Sequence, residues 1–287
     1  MSMFKKKVLS IISVALILCI LFAGCNGSDN NNTEKFVYTV KVETIGGMPL
    51  EDIMVKVYKD AEMQNLQWGK ETDNDGVITF SAEPSKTYYA VLEEVPEGYK
   101  LEANYEITSK NTTISLETVI GDAKDMSGVT YKLGSVVHDF TVIATDGKQY
   151  KISDLLKTKK AVVLNFWYLN CQPCKMEFPY LQQAYIDYQD EIALIAINPY
   201  DGTNDTVSAY AVENKLTFQM VSDEKIDWAS IVQLTAYPTT VVIDRYGTIC
   251  MMHRGMVTSK EDFTKVFEFF TADDYKQTLI RNLNDIE

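Results

Sequence analysis

Ala161-Val162-Val163-Leu164-Asn165-Phe166-Trp167 is a nearly continuous apolar run, and Asn170-Cys171-Gln172-Pro173-Cys174 follows it after two residues. An apolar run of this length, without alternation, predicts a strand covered on both faces inside a mixed sheet. Beyond the cysteines, apolar residues at Phe178, Leu181, Ala184, Tyr185 and Tyr188 predict a helix to about residue 189. Strand, loop, Cys-x-x-Cys and helix is a context with chemistry. Two intervening residues, with the second cysteine in the first helical turn, let the sulfurs come within bonding distance. Cys171 lies where free helix N–H groups and the helix dipole favour an anion, so it is expected to be the exposed nucleophile. Cys174 would then resolve the mixed disulfide. A zinc site would need a second ligand pair, and His138, His253 and Cys250 supply none at recognisable spacing. Cys250 is expected to be a buried, inert thiol and His138 a structural residue.

Working outward, Glu177 follows Cys174 by three positions, so a helix turns both toward one side. It is read as an acid near the sulfurs, against the plainer reading of a solvent-facing helical glutamate. Downstream, Tyr237-Pro238-Thr239-Thr240-Val241-Val242-Ile243-Asp244 predicts another strand. Further strands are expected at 192–197 and 248–252, with helices at 206–214, 227–234 and 261–270. Met251, Met252 and His253 admit a copper reading, although methionine in a strand is more often core.

The run 163–167, the Cys171-Gln172-Pro173-Cys174-Lys175-Met176-Glu177-Phe178-Pro179 segment and the Pro238-Thr239-Thr240 strand resemble the TlpA/ResA family of extracytoplasmic thioredoxin-like reductases. The resemblance spans most of residues 131–287. It implies a thioredoxin-like α/β domain, Glu177 as the proton-handling acid, and a cis peptide bond before Pro238, packed beside the cysteines. Trp167, Pro173, Tyr237 and Pro238 are the client-contacting residues it implies. Asn165 stands where typical thioredoxins carry a buried Asp, so the acid must come from elsewhere. Asn170 replaces the Trp usual before the first cysteine, which removes an aromatic surface for partners. The implied redox group is the Cys171–Cys174 disulfide itself, with no cofactor and no metal.

The N-terminal half reads differently. Phe36, Tyr38, Val40 and Val42 alternate with polar residues, Ile53, Val55 and Val57 repeat the alternation, and 77–82, 88–95 and 113–118 supply further strands. The Gly47-Met48-Pro49-Leu50 start, the turn from Asp73 to Gly76, and Val95-Pro96-Glu97-Gly98-Tyr99 resemble the Cna-B or prealbumin-like sandwich. An all-β sandwich over 35–120 is therefore expected, as a spacer or docking module, with 121–130 connecting it to 131–287. Asp73 and Asp75 are read as a turn, since a full calcium loop ending in Glu is absent. Isopeptide crosslinks occur in relatives, with Lys41 and Lys56 as candidates.

Lys5, Lys6 and Lys7 precede an apolar stretch over 8–24, the pattern of a secretory leader, somewhat short for a permanent span. Leu21-Phe22-Ala23-Gly24-Cys25 resembles a bacterial lipobox, so 1–25 is read as a lipoprotein signal with Cys25 lipidated. Residues 26–34, mostly Asn, Ser, Gly and Asp, form a flexible tether. The expected location is the outer face of the cell membrane, as in a Gram-positive bacterium.

The 287 residues suggest two domains, and 46% hydrophobic with 23% charged residues is a globular composition. A net charge of −13 argues against nucleic-acid binding. Five cysteines, unevenly placed, exclude a fold stapled by many bridges. The expected activity is thiol–disulfide exchange, reducing exported proteins, for example in cytochrome c maturation, with electrons from a membrane thiol carrier. Alternatives are a thiol oxidase or isomerase, a Sco-like metal chaperone, and a surface-binding scaffold. The Sco pattern has three residues between its cysteines, which counts against it here.

Overall fold

The computed structural model describes residues 35–122, 126 and 128–286. The expected leader, Cys25 and the tether lie outside the described residues. Among those described, no helix is long and apolar enough to cross a membrane.

The first part is a sandwich, and its alternation is the reason. β1 (Phe36–Thr44) buries Tyr38, Val40, Val42 and Thr44 while the residues between them face outward. β2 (Met54–Tyr58), β3 (Leu66–Glu71), β4 (Val77–Ala82), β5 (Tyr88–Glu93), β6 (Tyr105–Ile107) and β7 (Asn111–Leu116) complete it. One sheet has the order β4-β1-β7, with β1 and β7 parallel, and the other has the order β3-β2-β5-β6. Val40, Val55, Val57, Ile53, Tyr88 and Ile107 fill the space between them. Each such side chain contributes about 1.5–3 kcal/mol of burial, so this core carries its own stability.

Asp73 closes a turn with its own side chain. Its Oδ1 accepts from Asp75 N–H at 3.1 Å and Val77 N–H at 2.8 Å, so backbone donors occupy it. Gly76 has φ +73°, and a Cβ there would stand 2.3 Å from the Val42 carbonyl oxygen. The crosslink candidates are ion-paired: Lys41 with Glu43 at 2.6 Å and Lys56 with Glu93 at 2.7 Å.

The second part opens with the hairpin β8 (Thr141–Ile143) and β9 (Gln149–Lys151), turned at Gly147, and the short helix α1 (Ile152–Leu156). There follow β10 (Ala161–Phe166), α2 (Gln172–Tyr188), β11 (Ile192–Asn198), α3 (Asn204–Glu213) and β12 (Gln219–Ser222). The remaining elements are α4 (Trp228–Ile231), β13 (Thr239–Asp244), β14 (Ile249–Arg254) and α5 (Lys260–Thr271), before a 3-10 turn at Leu283–Asp285. The sheet order is β12-β11-β10-β13-β14, with β10 parallel to β11 and antiparallel to β13. All residues of β10, β11 and β13 are buried, as strands sandwiched between helical layers must be. One face packs on α2 and α5 through Val163, Phe178, Leu181, Phe263 and Phe267. The other packs on α1, α4 and the hairpin through Phe140, Ile152, Phe166 and Trp228.

The halves meet beside a buried carboxylate. The carboxylate of Asp244, at the end of β13, is wholly buried: Oδ1 accepts from the Tyr246 and Thr248 N–H groups and Oδ2 from the Tyr275 hydroxyl, each at 3.0 Å. Burial holds its carboxyl above the usual carboxylate range. Beside it the chain meets the sandwich directly. Gln277 N–H donates to the Gly46 carbonyl at 3.0 Å, Thr44 Oγ1 bonds Gln277 Oε1, and Thr118 Oγ1 donates to the Tyr246 carbonyl. The sandwich is therefore docked on the α/β part, and the described residues form one compact unit.

Candidate active site

The sequence around Cys171 builds a helix start. Cys171 is the N-cap of α2, its Sγ accepting from Cys174 N–H at 3.2 Å, and Pro173 sits in the first turn, where its missing N–H costs nothing. Cys171 and Cys174 are joined as a disulfide with their Cα atoms 5.3 Å apart. Cys174 is enclosed, and the exposure expected for Cys171 is corrected: only 1% of it is accessible. In the disulfide its sulfur turns inward onto the core that contains Trp167 and Phe178, with Tyr168, Leu169 and Tyr237 packed around it.

Trp167 is a second correction. It is fully buried, its ring 5.0 Å from Phe178 and 5.1 Å from Tyr210, so it offers no surface to a client. As the residue directly after β10, it is part of the core. Pro173 is exposed beside the disulfide. The Tyr237–Pro238 peptide is cis, with Pro238 buried and Tyr237 half-buried. The Tyr237 ring meets Tyr168 edge-on at 5.2 Å, and Tyr168 meets Tyr200 at 5.9 Å. These three tyrosines provide an aromatic surface near the disulfide although Asn170 carries none. Tyr168 and Tyr200 were not singled out in the sequence, where nothing local marks them.

Glu177 is wholly buried, which removes the reading of a solvent-facing side chain. Its Oε1 accepts from Asn165 Nδ2 at 2.8 Å and its Oε2 from Val257 N–H at 2.7 Å. Asn165 Nδ2 also reaches Thr240 Oγ1 at 3.1 Å. Burial pushes the Glu177 carboxyl up to about 7, against the two hydrogen bonds, which favour the charged form. A carboxyl with that midpoint, one helical turn from Cys174, can hold or release a proton at neutral pH.

Asp201 is a further residue that sequence reading missed. Its Oδ1 accepts from Leu169 N–H at 2.7 Å and from Asn198 Nδ2 at 3.0 Å, and its Oδ2 accepts from Asn170 N–H at 3.3 Å. It therefore fixes the loop that delivers Cys171. Cys250 is buried, and burial raises its thiol far above the ordinary range. His138 bonds Tyr131 OH, in a structural position. Met251 faces the core of one sheet face and Met252 packs on the other, so with His253 they do not converge. Among the described residues no group of three His, Cys, Asp or Glu side chains could hold a metal.

A helix-capping disulfide, a buried acid one turn behind it and a cis-proline loop, on a five-stranded sheet with helices on both faces, define a thioredoxin-fold thiol-disulfide oxidoreductase. The comparisons agree. Residues 133–252 match the model of the AhpC/TSA family, and residues 37–124 match a prealbumin-like fold domain. The chain is 34% identical to the thioredoxin-like protein YneN of Bacillus subtilis over 130 residues, 45% of this chain and 75% of that protein. It is 31% identical to the thiol-disulfide oxidoreductase ResA of Oceanobacillus iheyensis over 144 residues, 49% of this chain and 73% of that one. The crystal structure of StoA from Bacillus subtilis is 25% identical, covering 46% of this chain and 98% of that one, with a TM-score of 0.39. The chain belongs to the ResA-type thiol-disulfide oxidoreductase family.

Proposed function

We propose that this oxidoreductase reduces disulfides in exported proteins, from a lipid anchor on Cys25 at the outer face of the membrane. The dithiol form is the working reagent. The Cys171 thiolate attacks a client disulfide, forming a mixed disulfide and expelling one client thiolate, which takes up a proton. Cys174 then loses its proton toward Glu177 and attacks the Cys171 sulfur. That step closes the Cys171–Cys174 bond and releases the second client thiol, so two electrons pass to the client. A membrane thiol-electron carrier would restore the dithiol, and apocytochrome c is one fitting client. Pro173, Tyr237 and Pro238 are the groups assigned to client contact.

What carries this reading is the buried Glu177, held by Asn165 and Val257 with its midpoint raised to about 7, one turn from Cys174. Such a group serves exchange at neutral pH, where a purely structural disulfide has no use for it. The test is trapping in cells with Cys174→Ser: exported proteins should accumulate as mixed disulfides on Cys171, and none should form with Cys171→Ser. Recovery of no such adduct, together with failure of the reduced chain to cleave insulin disulfides, would defeat the proposal. Incorporation of labelled fatty acid that depends on Cys25 tests the anchor separately.

A further inference from the structure

The chain has three arginines, Arg245, Arg254 and Arg281. Arg245 is committed within the fold, donating to the carbonyls of Phe270 and Ala272 and lying over the Tyr275 ring. The other two converge with Lys132 on a cavity of about 300 Å³, whose walls include Gln233, Met252 and Ile280 and no carboxylate. All three cations are exposed, and none forms an ion pair among the described residues. Elsewhere on the described surface many lysines are matched, such as Lys151 with Asp139 and Lys160 with Glu191. In a chain of net charge −13, three unmatched cations on one cavity leave a local field that favours an anion. A guanidinium pair presents the forked donors that a carboxylate accepts two at a time.

One wall of the cavity, Arg254, also lies beside the cis-proline loop. Arg254 ends β14 and pairs with Thr239, the residue after Pro238, and Gly255 N–H donates to the Pro238 carbonyl at 2.8 Å. Ile280 covers the outer edge of β14 through a parallel bridge to Met251, with its N–H on the Cys250 carbonyl at 2.7 Å and its carbonyl facing the Met252 N–H. Beyond that bridge, at His253 and Arg254, the edge has no backbone partner outside β13 among the described residues. An open strand edge accepts an extended segment.

We propose that this cavity receives an acidic side chain, Asp or Glu, from the segment flanking the reactive cysteine of a client. The inference rests on the reading of the chain as a reductase of protein disulfides. Because the remaining surface is acidic and repels such a segment, the cavity sets the register of the client more than its overall affinity.

The test uses the full chain in its dithiol form and matched synthetic peptide disulfides carrying Glu, Gln or Lys at the flanking positions. In single turnover the peptide disulfide is reduced to two thiols while Cys171 and Cys174 are oxidised. The expected order of rate constants is Glu, then Gln, then Lys, with about fivefold between the extremes, shrinking as salt rises. Arg254→Glu with Arg281→Glu should invert the order, and Arg254→Lys with Arg281→Lys should keep its direction. Reduction of all three peptides at equal rates would overturn this inference and leave the reductase reading standing. A preference that survives the double charge reversal would overturn it as well. Reduction of none would remove both. If the peptides are not distinguished while phosphatidylglycerol vesicles bind in an Arg254-dependent way, the cavity belongs to the membrane and the inference is overturned.

Discussion

Asn165 Nδ2 lies 2.8 Å from Glu177 Oε1, so an amide on the central strand holds one oxygen of the buried carboxylate on α2. Oδ1 of the same amide has no hydrogen-bond partner although it is buried. An amide can present either end to a neighbour. As seen, it donates to the charged carboxylate; turned over, Oδ1 would accept the proton of the neutral acid. Asn165 therefore suits both states of Glu177, where an Asp at this place would add a second buried negative charge.

The pH dependence of stability follows from Glu177. Its midpoint rises from 4.5 to about 7 on folding, so between those values the native protein holds a proton that the unfolded chain has released. The contribution of Glu177 is complete below about pH 4.5 and is lost through about pH 7, by about 3 kcal/mol for a shift of this size. Urea unfolding of the oxidised protein across that window should show the decline, and Glu177→Gln should make it shallower, leaving the part that belongs to the buried Asp244. Parallel curves for the two proteins would rule out Glu177 as its source.

Asn165→Ala removes a donor that favours the charged carboxylate. The midpoint of Glu177 should then move up by about one unit, the size of one hydrogen bond to a charged group. Carbon-13 labelling of the glutamate carboxyls reads this directly. A midpoint that stays in place or falls would mean that water replaces the amide, and that Asn165 has no hold on the acid.

What the sequence disclosed follows from burial. β10 and β13 were legible because strands covered on both faces need apolar residues throughout, and β1 because one covered face imposes alternation. β3 was missed because Leu66–Glu71 buries no residue fully and so carries no such mark. α1 and β12 are too short for their periods to register. In the site, the Cys-x-x-Cys spacing pointed to Cys171 and Cys174 and the family resemblance to Pro238, whereas the client contact the resemblance implied for Trp167 fails because the fold turns its ring inward. Asp201 acts across 32 residues of chain on the Leu169 amide, a relation set by topology and invisible to spacing.

Gly46 tests the docking of the sandwich. A Cβ at this position would stand 2.7 Å from Gln277 Cβ and 2.7 Å from Tyr246 Cε2, too close for either to remain in place. Gly46→Ala should cost about 1–3 kcal/mol as an overpacked contact. It should also speed hydrogen exchange at the Gln277 amide, which bonds the Gly46 carbonyl. Unchanged exchange there, with normal melting, would mean that the two halves are held by other contacts.

Asp201 is expected to act on the reaction by position, without touching the sulfurs. Its carboxylate ties down the Leu169 and Asn170 amides, the last two before Cys171, and is itself held by Asn198 Nδ2. Asp201→Ala frees both amides; with the group half exposed, the loss is about 1–2 kcal/mol, below that of a fully buried charged bond. The helix and its disulfide keep their own hydrogen bonds, so the fold should survive while Cys171 samples more positions. Insulin reduction should then slow several-fold, with faster hydrogen exchange at Leu169 and Asn170. Asp201→Asn, which retains one acceptor oxygen for the Leu169 amide, should recover part of the rate. Faster exchange with full turnover would show that Cys171 is placed by the start of α2 alone.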